Sequence, residues 1–263
     1  MLWLFLKQQT PIDMKKNYLI LLALFLIAFQ TKAQSTTDSS KVSDGRKNLI
    51  KINLPTLALR TYALEYERAI GKKTALSLGY RFMPKGSIPL KGIINDLIDD
   101  EETNKQLNSF DFSNNAITPQ IKFYFGKDIF KGFYLAPFAR FATYKAEGFF
   151  NYDADDDGID EQIPMQGDLK TITGGLELGV NFRLSKRLHL NINAGPQFGS
   201  SKGNFDGKKA LSTEEQDELR NELEDLEIPF ADKEVNVTAS GANVKLSGPW
   251  AGFKAGIMLG FRF

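Results

Sequence analysis

Cysteine is absent from the 263 residues, histidine occurs once, at His189, and tryptophan only twice. Without cysteine there is no disulfide, no thiol nucleophile, no thiolate-held zinc and no lipid attached through an N-terminal cysteine. A single histidine cannot build a histidine metal cluster, and no phosphate-cradling glycine loop or nucleophile elbow accompanies it. His189 therefore reads as a structural residue of a strand. Long apolar runs are scarce as well: Tyr18 to Phe29 is the one candidate, and its 12 residues fall short of the roughly 20 that a membrane-spanning helix needs.

That short run is flanked as an export signal is. Met14-Lys15-Lys16 gives a basic start, and Thr31-Lys32-Ala33 a polar end with a small residue before Gln34. Residues 1–33 are expected to form a signal-peptide region cleaved near Ala33, with Met14 the true start; a retained N-terminal anchor is the alternative. Residues 34–47, rich in Ser, Thr and Asp, read as a flexible periplasmic lead-in to a domain over 48–263.

What the sequence has in quantity is two-residue alternation. From Trp250 to Phe263, Ala251, Phe253, Ala255, Ile257, Leu259, Phe261 and Phe263 share one face of an extended strand, against Gly252, Lys254, Gly256, Met258, Gly260 and Arg262. A strand of that length ending on an aromatic fits the closing strand of a barrel that crosses a bilayer in about 9–11 residues. The same pattern recurs from Leu49, through Tyr62–Glu67, Leu76–Phe82, Ile117–Phe125, Phe133–Ala142, Leu176–Arg183 and Leu188–Phe198. The expectation is an all-β, antiparallel, eight-stranded transmembrane barrel. A ten-stranded barrel is the alternative, recruiting a hairpin around Ser240-Gly241 that otherwise projects above the membrane. A soluble barrel would invert the faces, but its outer wall should then be dense in charge; here the polar face is mostly Gly, Asn, Ser, Thr and Ala, which suits a crowded lumen.

Charge is divided between the two ends. The long connections at 84–113, 149–167 and 203–249 hold 23 acidic and 8 basic residues, a net of −15, so the rest of the chain carries +16 of the overall +1. The short turns at Lys72-Lys73, Lys127 with Lys131 and Lys186-Arg187 are basic. The long loops are accordingly placed outside and the turns, with both termini, in the periplasm. Acidic outer loops exclude nucleic acid as a partner.

Three candidate sites follow. Asp153, Asp155, Asp157 and Asp160, around Gly158, begin like a calcium loop; Pro164 then stands where an EF-hand has its glutamate, so a shorter calcium loop competes with a solvated acidic tip. Ser212 to Glu215 is a capping box opening an acidic helix to about Glu227, with Leu219, Leu223 and Leu226 on one face: a cover for the barrel mouth or a partner-binding helix. Ile93, Ile94, Leu97 and Ile98 read as a shorter helix of the same kind. The alternation points Lys51, Glu65, Glu67, Arg81, Lys122, Arg140, Glu177, Arg183, Lys254 and Arg262 into the lumen. Those seven bases and three acids require ion pairs to be tolerable there.

Ile52 to Pro55, Tyr66 to Arg68, Arg81 to Gly86, Phe133 to Phe141, Gly167-Asp168, Gly248 to Gly252 and the ending Gly260 to Phe263 resemble, from about residue 48 onward, an outer-membrane β-barrel family of Bacteroidota catalogued as a domain of unknown function. The resemblance implies insertion into outer-membrane lipid by the barrel-assembly machinery through the C-terminal strand; it implies no reaction and no cofactor. The expectation for function is a non-enzymatic barrel displaying acidic loops for surface interaction or envelope integrity. The alternatives are a narrow solute channel and, third, a carboxylate-based hydrolase.

Overall fold

The structure is a computed structural model describing residues 45–98, 100–153, 160–226 and 231–263. The signal-peptide region and nearly all of the lead-in lie outside those residues. Among the described residues no helix is long and apolar enough to cross a membrane.

Eight strands close a ring. They are β1 (Asn48–Asn53), β2 (Tyr62–Ala69), β3 (Thr74–Gly86), β4 (Phe110–Tyr124), β5 (Gly132–Asp153), β6 (Asp160–Arg183), β7 (Leu188–Lys208) and β9 (Gly241–Arg262). Each pairs antiparallel with the next, and β9 returns to β1 with Leu49 opposite Arg262 and Asn53 opposite Met258. The ninth strand, β8 (Asp232–Thr238), pairs only with the first part of β9 and stays outside the ring. The eight-stranded barrel holds and the ten-stranded alternative does not: the second arm of the expected hairpin is the start of the closing strand itself. Short turns at 70–73, 125–131 and 184–187 occupy one end, together with both ends of the barrel chain. The opposite end carries the longer connections, with α1 (Leu54–Ala58), α2 (Lys91–Leu97), α3 (Glu101–Asn108) and α4 (Thr213–Asp225).

Facing follows the alternation. Leu64, Leu78, Ile117, Phe133, Phe141, Leu178, Phe198 and Phe253 are exposed on the outer wall, while Lys51, Glu67, Lys122, Tyr134, Glu177 and His189 are buried inside. An outward apolar belt of this extent is what a bilayer covers; soluble monomers rarely expose one.

The strands run much further than the belt, which corrects the loop boundaries. Residues 149–153 and 160–167 belong to β5 and β6, and 203–208 to β7, so most of the second expected loop and the start of the third are sheet. Pairing continues without a break from Gly132 opposite Asn181 to Asp153 opposite Asp160, and from Leu188 opposite Phe261 to Lys208 opposite Gly241. The outer face changes character at one level. Thr143, Lys170, Lys202 and Ser247 are register neighbours across β5, β6, β7 and β9, followed one step on by Lys145, Asp168, Asn204 and Lys245. Beyond that polar girdle the inward positions become apolar. Phe150, Tyr152, Ile163, Met165, Ala242 and Val244 form a second core with Leu211, Leu219, Leu223 and Val237. The chain thus builds a barrel with a polar filling and, on the same strands, an extension with an oily one.

Helix α4 closes the extension. Its capping box is complete, Glu215 N–H donating to Ser212 Oγ at 3.2 Å and Ser212 N–H to Glu215 Oε2 at 2.7 Å. At the other end Lys233 Nζ donates to the carbonyls of Leu223, Glu224 and Leu226 at 2.6–2.7 Å, satisfying groups the helix leaves free. Leu219 and Leu223 are buried against the sheet, whereas Leu226, expected on the same face, is exposed beyond the helix end. Helix α2 forms where the isoleucines are but buries none of its residues.

Candidate functional site

The lumen of an eight-stranded barrel is just wide enough for its own side chains, and here those side chains form three tiers. At the short-turn end Phe130, in the turn before β5, has φ of 62° and is fully buried. A left-handed backbone costs a non-glycine residue roughly 1–2 kcal/mol, which burying the ring, worth about 1.5–3 kcal/mol, offsets. The ring packs edge-on to Tyr124 at 6.2 Å, and Tyr124 lies 5.2 Å from Tyr134. Arg262 sits over Phe130 at 5.4 Å and donates to the Arg46 carbonyl at 2.9 and 3.1 Å. Together they stopper that end.

Above the stopper lies a buried ion network. Lys51 Nζ is 2.7 Å from Glu65 and 2.5 Å from Glu67, and Lys122 Nζ is 2.6 Å from Glu65, 3.5 Å from Glu67 and 3.9 Å from Glu177. Lys254 pairs with Glu177 and donates to Gln120 Oε1 at 3.2 Å. The remaining carboxylate lone pairs are taken by neutral donors: Tyr124 Oη to Glu67 at 2.7 Å, Tyr134 Oη to Glu177 at 2.8 Å and Gln120 Nε2 to Glu65 at 2.6 Å. Three lysines therefore neutralise three glutamates. Room for the aromatic members comes from β6, where a methyl on Gly179 would collide with the Tyr134 ring and one on Gly175 with Phe138. His189 is fully buried with Nδ1 3.3 Å from Asn181 Oδ1.

The third tier is a cavity of about 120 Å³ toward the end with the longer connections, lined among others by Asn53, Arg81, Thr118, Arg140, Asn193 and Lys254. Of the ten charged residues assigned to the lumen, six make the ion network, Arg81 and Arg140 line this cavity and Arg262 joins the stopper. Arg183 is a correction: at the end of β6 it is exposed at the rim, where the lumen has ended. The tyrosines, Gln120, Phe138 and Phe130 were legible only as inward or turn positions, because hydrogen bonding across the lumen leaves no trace in local spacing.

In the extension, Lys209 Nζ bridges Tyr152 Oη at 2.8 Å, Glu161 and, at 3.1 Å, Glu215. Partial burial would depress the lysine, but its hydrogen bonds to Glu161, Tyr152 and Glu215 outweigh this and raise it. The Ser212 backbone N–H, then Lys209, holds the Glu215 carboxyl down at about 2, against an ordinary value of 4.5. A lowered pKa contributes stability that is complete above the unfolded value and lost as pH falls through the folded one. Docking of α4 is therefore expected to loosen between pH 4.5 and about pH 2, with proteolysis within residues 209–226 rising over that window. Glu215→Gln should remove this pH dependence, while Ser212→Ala should cost about 1 kcal/mol at neutral pH.

The candidate calcium ligands fall where β5 ends and β6 begins. Asp153 and Asp160 are register partners there, and Asp155 and Asp157 lie outside the described residues. Among the described residues no cluster of three His, Asp or Glu side chains is placed to hold a metal ion.

Belt, girdle and filled lumen define a class: a small antiparallel barrel built to stand in an apolar surround with an ordered projection at one end. The chain belongs to the family described as proteins of unknown function (DUF3575), whose model matches residues 19–221. Among solved structures it is similar to the N-terminal β-barrel domain of Pseudomonas aeruginosa OprF, with 10% identity over 83% of this chain and 98% of that one and a TM-score of 0.33. No curated protein matches it.

Proposed function

We propose that the protein is a non-enzymatic barrel of the outer membrane whose working surface is the strand extension and its covering helix, displayed outward for surface interaction or envelope integrity. The observation that carries this reading is the switch of faces along unbroken strands. Outward Phe141, Ile172 and Phe198 are exposed apolar residues on the belt side; beyond Lys145, Lys170, Lys202 and Lys245 most apolar residues turn inward, although Phe149 stays exposed. Lipid on the outside of one half and water on the outside of the other accounts for both patterns. The acidic balance of the projecting end fits an outward display, and the basic short turns fit a periplasmic side.

The filled lumen sets the test. A narrow solute channel, the rival reading, draws on the arginine-lined cavity but needs a path past Lys122, Tyr134 and Phe130. Recordings from planar bilayers containing the purified barrel are expected to be silent. Steady conductance that changes when Arg81 or Arg140 is replaced would overturn the display reading in favour of the channel.

A further inference from the structure

We infer that the lumen cavity is a binding site for a small oxyanion of phosphate size, held by Arg140 and Arg81. The inference begins with charge that has no partner. Once Lys51, Lys122 and Lys254 have neutralised Glu65, Glu67 and Glu177, two guanidiniums remain over. Arg140 is 7% exposed, and its Nε and Nη2 have no hydrogen-bond partner among the described residues; Arg81 Nε is buried in the same condition. Both line the same cavity. Leaving a buried guanidinium unanswered is costly, and arginine presents a planar fork of N–H groups matched to two oxygens of a phosphate or carboxylate.

The surroundings are those of a recognition site. Between β3, which carries Arg81, and β5, which carries Arg140, strand β4 offers only the small Ala116 and Thr118; Ala116 is the register partner of both Arg81 and Ala142. That choice of small residues opens the space. Thr118, Asn193 and Asn53 line it with neutral polar groups. A volume of about 120 Å³ approaches the roughly 150 Å³ of a cavity that holds a benzene ring, ample for a five-atom oxyanion. Glu65 also lines the cavity, but its carboxylate is occupied by Lys51, Lys122 and Gln120 and presents no free charge to an anion. The stopper around Phe130 makes this a vestibule open from one end, so binding does not require conduction and stands apart from the display reading.

The test uses the full-length barrel folded in a zwitterionic detergent, titrated with inorganic phosphate at constant ionic strength and followed by calorimetry. Saturable one-to-one binding is expected, weakened at least tenfold by Arg140→Gln and by Arg81→Gln but unchanged by Arg183→Gln at the rim. A second readout guards against misfolding: without phosphate Arg140→Met should unfold at a higher urea concentration than the parent, because it removes an unanswered charge, and phosphate should stabilise the parent and leave the variant unmoved. Equal phosphate responses in parent and Arg140 variants, or no saturable response in the parent, would overturn the site.

Discussion

Replacing Lys122 with methionine is expected to be the most damaging single change in the barrel, costing about 3–5 kcal/mol because it strands buried partners without compensation. Lys122 Nζ lies within 4 Å of Glu65, Glu67 and Glu177, all at most 3% exposed, and 4.6 Å from the Tyr134 ring. Lys51 and Lys254 would remain, leaving two cations for three carboxylates in a space too narrow for generous hydration. The measurement is urea-dependent folding into detergent or lipid, scored by the mobility difference between folded and unfolded barrel. Arg183→Met, at the exposed rim, should shift the midpoint by under about 0.5 kcal/mol. Adding Glu65→Gln to Lys122→Met should recover part of the loss, since it removes one of the stranded charges. A Lys122→Met barrel within 1 kcal/mol of the parent would mean that water, not lysine, answers the glutamates.

The number of barrel strands and the facing of their lumen charges were legible because the belt obeys a simple rule: lipid outside and a crowded polar lumen inside force apolar and small polar residues to alternate. Lys51, Glu65, Glu67, Lys122 and Glu177 are buried where that rule puts them. The extension was hidden by the same rule. On β5 the even positions face inward throughout, but Arg140 and Ala142 face the lumen whereas Phe150 and Tyr152 face an apolar core. On β6 Glu177, Thr173 and Thr171 give way likewise to Met165 and Ile163 on the odd positions. The backbone phase never slips, but the apolar residues change faces, so a pattern locked to outward apolarity reads the strand as ending there. Which side chains pair within the lumen was not legible at all. Glu177 finds Tyr134 on β5 and Lys254 on β9, partners set by barrel closure and not by spacing.

The cover of the extension can be removed without touching the barrel, and this separates its two halves experimentally. Leu219 is fully buried and Leu223 nearly so in the upper core, contacting the sheet through a helix that otherwise carries seven acids and one base between Thr213 and Asp225. Such a helix is held by those two leucines, its capping box, the Lys209 bridge to Glu215, Arg220 Nη2 donating to the Val237 carbonyl, and Lys233 at its far end. Leu219→Ala should cost about 2–5 kcal/mol at the site, the usual range for a buried leucine, and Leu219→Ala with Leu223→Ala should undock α4 altogether. Protease added to intact cells is then expected to cut within residues 209–226 much faster in the double variant than in the parent, while the barrel keeps its folded mobility because β5, β6, β7 and β9 remain paired below the girdle. Leu226→Ala, exposed beyond the helix end, should leave cleavage unchanged. Cleavage of the double variant only after the cells are permeabilised would place the extension on the periplasmic side. Loss of folded barrel along with α4 would show that belt and extension fold as one cooperative unit, with the upper core serving as the nucleus that keeps the ring closed.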